Sequence, residues 1–541
     1  MILALGAAVC ALQAQSASTI RFEAAPGPGF ILHNSPTPEK YLAETMTGGL
    51  AVFDYNNDGR PDLLFANGAE LPSFRKTGPK YWNRLYKNDG NWRFTDVTET
   101  AGLAGEGYGF GAAVADFDGD GKVDVFVAAI PTGRLYRNRG DGTFQDVSAR
   151  AGIRTGPWTV AAGWLDYDRD GRPDLFVANY LDWSPANNPW CGDKVRDLRM
   201  YCHPGHFRAT PNQLYRNRGD GTFEDVSARS GIAGYPGKAM SVAVADYDLN
   251  GYPDIFVTND AIPNSLFRNR GDGTFEEVAM NAGVALATHG RPISSMSAEF
   301  RDYNNDGLPD ILVTALAGES FPLFRNAGKG FFEDAADQSR LAGLVTRISG
   351  WCGVIADLDN DGRKDIFSAN AHVNDRISDI SSDRYTLPNS VFRNRDGNTF
   401  EDLTGASPGL KSDVHAHRGC AVADFDGDGR LDVAVSVLGG AAELWRNTSP
   451  GKAHWVDVDL RGPQGNSDAI GAVVRIGAQT NERTSSAGYS SASLIPVHFG
   501  LGASTRIPLI EIRWPDGFVE RLENAPADRV ILVEEPEQKA R

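Results

Sequence analysis

The sequence is poor in the residues that mark most enzymes and membrane proteins. Its 541 residues include nine histidines and five cysteines. No G-x-S-x-G elbow, P-loop or zinc-protease motif occurs, and no catalytic residue is assigned. No apolar run reaches the ~18 residues a spanning helix needs, so no membrane span is expected. Basic residues are outnumbered, 53 against 70 acidic, for a formal net charge of −17. Phosphate backbones are bound by basic surfaces, which excludes nucleic acid as a partner. What is plentiful is glycine, 60 residues, together with aspartate in a fixed pattern.

The first eighteen residues, "MILALGAAVCALQAQSAS", are uncharged, apolar and then small. They read as a secretory signal peptide without a basic start, cleaved near Ala14 to Ser18. Four cysteines remain beyond it. Cys191 and Cys202 lie eleven apart in a loop-like insertion, "NNPWCGDKVRDLRMYCHPGH", and can close a small disulfide loop. Cys352 and Cys420 stand five and four residues before an aspartate cluster. That offset puts them on opposite strand faces, so they read as two separate buried thiols. Such usage permits an oxidising compartment; a secreted, periplasmic or cell-surface location is expected.

The aspartate pattern recurs seven times. Its places 1, 3, 5 and 9 are Asp54, Asn56, Asp58 and Asp62; Asp116, Asp118, Asp120 and Asp124; Asp166, Asp168, Asp170 and Asp174; Asp246, Asp248, Asn250 and Asp254; Asp302, Asn304, Asp306 and Asp310; Asp357, Asp359, Asp361 and Asp365; and Asp424, Asp426, Asp428 and Asp432. An apolar, small-residue run precedes each copy, and a run such as "DVFVAA" or "DIFVTN" follows it. Next comes "LYRNRGDGTFxDVS" or a relative. Short β-rich runs bounded by Gly-Asp turns are strands. Four per repeat, radially arrayed, make a β-propeller. Six copies carry an outer strand opening on Phe94, Phe144, Phe223, Phe275, Phe332 or Phe400; the seventh ends at "ELWRN" (Glu443 to Asn447) without one. The N-terminal "STIRFEAAPGPGF", Ser18 to Phe30, can supply it.

The expected fold is therefore all-β. A seven-bladed propeller spans 19–447, its last blade closed by the N-terminal strand. A small β-sandwich-like module follows at 451–535, then a tail at 536–541.

Carboxylates at alternate places, with Gly at place 6, form an oxygen-only cage suited to Ca2+, which takes six to eight oxygens. No His or Cys lies within the loops, which disfavours zinc there. Seven Ca2+ ions would bring the net charge from −17 to −3. The loop within its hairpin resembles the FG-GAP, or VCBS, repeat of integrin-α-like propellers, with "YGFGAAVADFDGDG" at Tyr108 carrying part of the name. That resemblance implies Ca2+ at these positions, up to seven ions. The C-terminal "NSDAIGA", "HFGLG" and "IEIRWPDG" resemble the ASPIC/UnbV module. With "ETMTGGLAVFDYNNDG", the chain is similar to the cartilage acidic protein-like family, which implies extracellular adhesion or binding of glycan or matrix.

Propellers place ligands at the funnel mouth, near the starts of the inner strands. Trp158, Lys238, Arg291, Trp351, His417 and Arg418 occupy such positions, where aromatic and cationic groups could stack on sugars and pair with uronates. Packing between blades is the plainer role for the tryptophans. In "DVHAHRG", His415 and His417 share a strand face, as a metal site, an acid–base pair or merely a polar start to a strand. His203 and His206 accompany the insertion. Two functions are open: a calcium-stabilised scaffold binding glycan or extracellular protein, or a polysaccharide lyase or dehydratase working in the funnel.

Overall fold

In the second repeat, "YGFGAAVA" is apolar or small at every place, which suits a strand covered on both faces. All eight residues of Tyr108–Ala115 are buried. The aspartate loop then turns the chain back, and Asp124–Ile130 pairs antiparallel with it, Ala115 opposite Asp124. Arg134–Asn138 and Phe144–Asp146 follow by hairpins, and in the outermost strand Gln145 and Asp146 are exposed.

The computed structural model describes residues 19–536, so the segment read as a signal peptide lies outside the described residues. Among those described, seven sheets share this plan. Six run in chain order from inner to outer strand. The seventh takes His417–Ala423, Asp432–Val437 and Glu443–Asn447, and its outer place is filled by Phe22–Ala25. Phe22 lies opposite Asn447 as Phe144 lies opposite Asn138.

An asparagine ending each third strand ties neighbouring sheets together. Its side-chain Nδ2 donates to the carbonyl at the second place of the preceding sheet's loop. Asn138 donates to Tyr55, Asn217 to Phe117, Asn269 to Tyr167, Asn326 to Tyr247, Asn394 to Tyr303 and Asn447 to Leu358. Asn88 completes the circle by donating to Phe425 of the last loop at 3.0 Å.

One expectation is corrected. Cys352 and Cys420 are not separate thiols but a disulfide, with Cα atoms 5.7 Å apart. Their registers do put them on opposite faces, Cys352 opposite Ala369 and Cys420 opposite Val435. Consecutive propeller sheets stack, however, so that the near face of one meets the far face of the next. Opposite faces on adjacent inner strands are thus the arrangement that brings two side chains together. Cys191 and Cys202 are also bonded, Cα atoms 5.2 Å apart, within the insertion.

The C-terminal region forms two further sheets. One holds Val497–Gly502, His454–Arg461 and Arg529–Glu534; the other holds Gln479–Glu482, Val473–Ile476, Arg506–Arg513 and Val519–Pro526. Val458, Val474, Phe499, Ile510 and Trp514 belong to its core. Between these sheets the chain leaves its own module. Ser486–Ala487 and Ser491–Leu494 form a hairpin whose second strand runs parallel to Leu50–Phe53 and extends the first propeller sheet.

That hairpin touches all seven sheets at the centre of the ring. Ser491 Oγ accepts from Leu50 N–H, and Ser490 O accepts from Ala112 N–H. Ser490 Oγ donates to Val160 O, Ser241 Oγ donates to Gly488 O, and Gly488 N–H donates to Glu299. Tyr489 N–H points at Cys352 Sγ, and Ser493 Oγ donates to Val422 O. Small residues make the space: a Cβ on Gly49 or Gly111 would stand 2.1 Å from Ser490 O.

Candidate metal centres and ligand surfaces

Each aspartate loop is built by its own backbone. In six loops the first-place carboxylate accepts N–H groups from places 5 and 6, as Asp54 does from Asp58 at 3.0 Å and Gly59 at 2.6 Å; in the fourth, Asp246 accepts from Gly251 while Asn250 N–H turns to Asp248. Gly59 sits at φ +80°, where a side chain would be strained. The ninth-place carboxylate accepts from place 2 and from the asparagine that ends the third strand: Asp62 takes Tyr55 at 3.1 Å and Asn88 at 2.7 Å. At places 3 and 5, arginines engage the outward oxygens. Arg216 Nε lies 2.6 Å from Asp168 and its Nη2 3.0 Å from Asp170, Arg446 Nε lies 2.8 Å from Asp426, and Arg137 spans Asp118 and Asp120.

The inward oxygens tell a different story. Oδ1 of Asp118, Asp168, Asp170, Asp246 and Asp426 is buried without a hydrogen-bond donor, a costly state for a carboxylate. Within the trios Asp116–Asp118–Asp124, Asp166–Asp168–Asp174 and Asp246–Asp248–Asp254, carboxylate oxygens lie within 4.8 Å of one another. Burial, reinforced by neighbouring aspartates, pushes Asp62 and Asp310 up to about 8 and Asp166 up to about 7. These all-oxygen clusters can hold a divalent cation, which would satisfy the orphaned oxygens. In the first and fifth loops, Asn56 and Asn304 donate to Asp58 and Asp306 at 3.1 and 2.9 Å, relieving part of that need locally.

The module docks on this loop face. Asp468 accepts from Asp116 N–H at 2.6 Å, and Ser467 Oγ donates to the Asp116 carboxylate. His498 bridges Asp457 and Asn360, at 2.7 Å to each, and Arg513 lies 3.6 Å from Asp246. A cleft of about 390 Å³ between loops and module is lined by Asp54, Arg60, Asp424, Trp455 and Arg461, among others.

The residues expected at the funnel divide. Trp351 and Arg418 come together, guanidinium over indole at 4.0 Å, with Tyr489 of the hairpin 5.1 Å from the Trp351 ring. Both are buried. Trp158 packs against Tyr180 and Trp183 of the insertion, and Lys238 Nζ donates to Pro204 O. Arg291 is exposed before the fifth inner strand. The insertion covers this end of the ring, Tyr201 N–H donating to Asn374 and its hydroxyl to Glu44. His203 caps a short turn by accepting from Gly205 N–H, and His206 packs edge-on beside Phe207. His415 and His417 do meet, and both face Glu443.

Several structural residues were not foreseen. The asparagine circle was visible as the repeated Asn of "LYRN", "LFRN" and "LWRN". Glu443 and Asp413, beside the histidines, carry no motif. The hairpin's only signal is its run of small residues, "SSAGYSSAS".

Family models for the FG-GAP-like repeat match residues 54–127, 116–177, 204–257, 250–313, 302–368 and 357–435. The ASPIC and UnbV model matches residues 462–540. Cartilage acidic protein 1 of Homo sapiens is 31% identical over 313 residues, 56% of this chain and 44% of that protein. Its Xenopus tropicalis counterpart is 31% identical over 314 residues, 56% of this chain and 45% of that protein. The chain thus spans less than half the length of these curated relatives. Among solved structures, an Agrocybe aegerita lectin recognising non-reducing terminal N-acetylglucosamine aligns with a TM-score of 0.38 at 16% identity, covering 73% of this chain and 87% of that one. An exotype rhamnogalacturonan lyase aligns at 0.37 and 14%, covering 80% and 76%. Neither likeness bears on the chemistry of this chain. Repeat and module together identify the chain as a member of the FG-GAP-like repeat family with a C-terminal ASPIC and UnbV domain.

Proposed function

We propose that the protein is an extracellular, calcium-stabilised scaffold that binds a glycan or an extracellular protein. The observation that carries the calcium reading is the set of buried, donorless carboxylate oxygens turned into the aspartate loops. Hard oxygen donors without His or Cys favour Ca2+ over transition metals. Two disulfides fit an oxidising compartment.

The funnel lyase reading needs an open channel with cationic groups at its wall. Arg418 and Trp351 are instead sealed beneath Tyr489, which favours a binding role at an outer surface. The cleft between loops and module offers Trp455 for stacking, with Arg60 and Arg461 for an acidic or hydroxylated ligand. Asp54 and Asp424 line the same cleft, so calcium there would shape it.

Chelation should lower the melting temperature substantially, and calcium should restore it; an unchanged melting point sinks the calcium scaffold. A glycan array probed with and without Ca2+, using wild type and Trp455→Ala, tests the binding surface. Calcium-dependent binding that Trp455→Ala retains in full would place the ligand elsewhere.

A further inference from the structure

At the end of the ring opposite the aspartate loops, His417 and Glu443 of the last sheet meet His415 of the short strand Val414–His415 and Asp413 just before it. Glu443 Oε1 lies 3.0 Å from His417 Nε2 and 3.0 Å from His415 Nδ1. Asp413 Oδ1 lies 2.7 Å from the same His415 nitrogen. We propose that His415, His417 and Glu443, whose donor atoms lie within 4.8 Å of one another, form a transition-metal site of the zinc class with an open fourth position, separate from the calcium loops, that pins the start of the last inner strand to the third strand of its sheet, with Asp413 orienting His415.

The hydrogen bonding around the cluster argues for a cation at its centre. His417 is fully buried, and its Nδ1 faces the carbonyl of Asn370 at 3.0 Å. That nitrogen must donate, which leaves Nε2 of the neutral ring with a lone pair. In the neutral ring that lone pair would meet a carboxylate oxygen, so either a proton or a metal ion must lie between them, and Co2+ uptake by the full chain separates the two. A carbonyl behind one nitrogen, fixing the tautomer and aiming the other, is the usual support for a metal-bound histidine. Glu443 is held the same way. Its Oε2 accepts from Asn389 Nδ2 at 3.1 Å and Trp445 Nε1 at 2.9 Å, so Oε1 is turned toward the histidines.

Composition and size agree. Two imidazoles and one carboxylate are borderline donors that suit Zn2+, which is often held by three protein ligands with a fourth position open to water. Around a tetrahedral ion with ligands at 2.0–2.2 Å, neighbouring donors stand about 3.3 Å apart; Glu443 Oε1 at 3.0 Å from each histidine nitrogen needs only a few tenths of an ångström of opening. The His415 side chain is half exposed while Glu443 is mostly buried, which leaves an entry path for the ion. Leu387 pairs with His415 on a short two-stranded sheet, holding that histidine's backbone.

The test uses the full chain, stripped of metal and then refilled with excess Ca2+ to occupy the loops. Co2+ serves as the visible probe and Zn2+ as competitor. One Co2+ per chain is expected, with the intense visible absorption of a four-coordinate site, displaced by one equivalent of Zn2+. His415→Ala and His417→Ala should lose that signal. Asn389→Ala, which touches no ion, should weaken binding roughly 10- to 100-fold, and His206→Ala, at an exposed histidine of the insertion, should leave it unchanged. His417 is buried, so its variant is checked by circular dichroism; the more exposed His415 carries the result if it fails to fold. A wild-type chain that takes up no Co2+ under these conditions would show protons alone holding the cluster, and the proposal falls. Undiminished binding in His415→Ala overturns it equally.

Discussion

Replacing Gly111 by alanine should dislodge the hairpin that fills the centre of the ring. Gly111 lies mid-strand, and its backbone dihedral lies outside the positive-φ region, so alanine can adopt it and only space is at issue. The added Cβ would stand 2.1 Å from Ser490 O and 2.7 Å from Ser490 Cβ. Ordinary contact begins near 3.4 Å, so backbone and hairpin must part by about 1.3 Å. Neither side is a flexible side-chain tip; both are backbone held in place by sheets. Overpacking of this kind costs roughly 1–3 kcal/mol. Retreat of Ser490 also stretches Ala112 N–H to Ser490 O and Ser490 Oγ to Val160 O, 3.3 and 3.0 Å at present, adding about 1 kcal/mol each. A total of roughly 3–5 kcal/mol is expected by denaturant unfolding, together with faster proteolysis within 484–496. Gly343→Ala, where nothing lies within 4 Å, is the control and should stay within about 0.5 kcal/mol. If Gly111→Ala matches that control in both measurements, the hairpin is not seated as described.

Asn138→Ala removes a buried amide that serves Tyr55 O and Val123 O; leaving those carbonyls unmatched should cost about 2–3 kcal/mol in equilibrium unfolding, and a loss below 0.5 kcal/mol would contradict the clamp. Cys352→Ala with Cys420→Ala opens a bridge of sequence separation 68, worth about 4 kcal/mol by loop-closure entropy, readable as a lower denaturation midpoint with activity-independent probes. In chelator, stability should fall as pH rises. Asp62 and Asp310 titrate near 8 when folded against 3.8 for a free carboxyl, so the stability they contribute is complete below about pH 4 and lost through pH 8. Calcium should abolish that slope by stabilising the ionised form, and melting curves from pH 5 to 8.5 with and without Ca2+ would show it; parallel curves would refute the assignment.

The repeated chemistry was legible because it repeats. Seven copies of one spacing define the loops, the strands that flank them and the open place that Phe22–Ala25 occupies. What escaped notice depends on residues far apart in the chain. The Cys352–Cys420 bond was misread because face parity within one sheet says nothing about which face of the next sheet lies against it. Glu443 reaches His417 across 26 residues and a whole strand, and single residues at such separation leave no pattern. The hairpin from Ser486 to Leu494 is short, polar and small, a composition that reads as a surface loop. Only its burial against seven inner strands reveals its place. The funnel candidates followed from general propeller anatomy, and this chain fills that space with its own backbone.

The asparagine circle has a consequence for how the molecule tolerates loss. All seven amides hand a hydrogen bond in the same rotational sense, and Asn88 returns the last one to Phe425. In a linear array of repeats, terminal units fray first and shortening the array weakens it by degrees. A closed circuit has no terminal unit, so opening has to begin at a seam, such as the pairing of Phe22–Ala25 with Glu443–Asn447, rather than by fraying from an end. Deleting one repeat would not leave a slightly smaller version of the same object; it would create two apolar edges where none existed, and the remaining six would have to re-curve or come apart together.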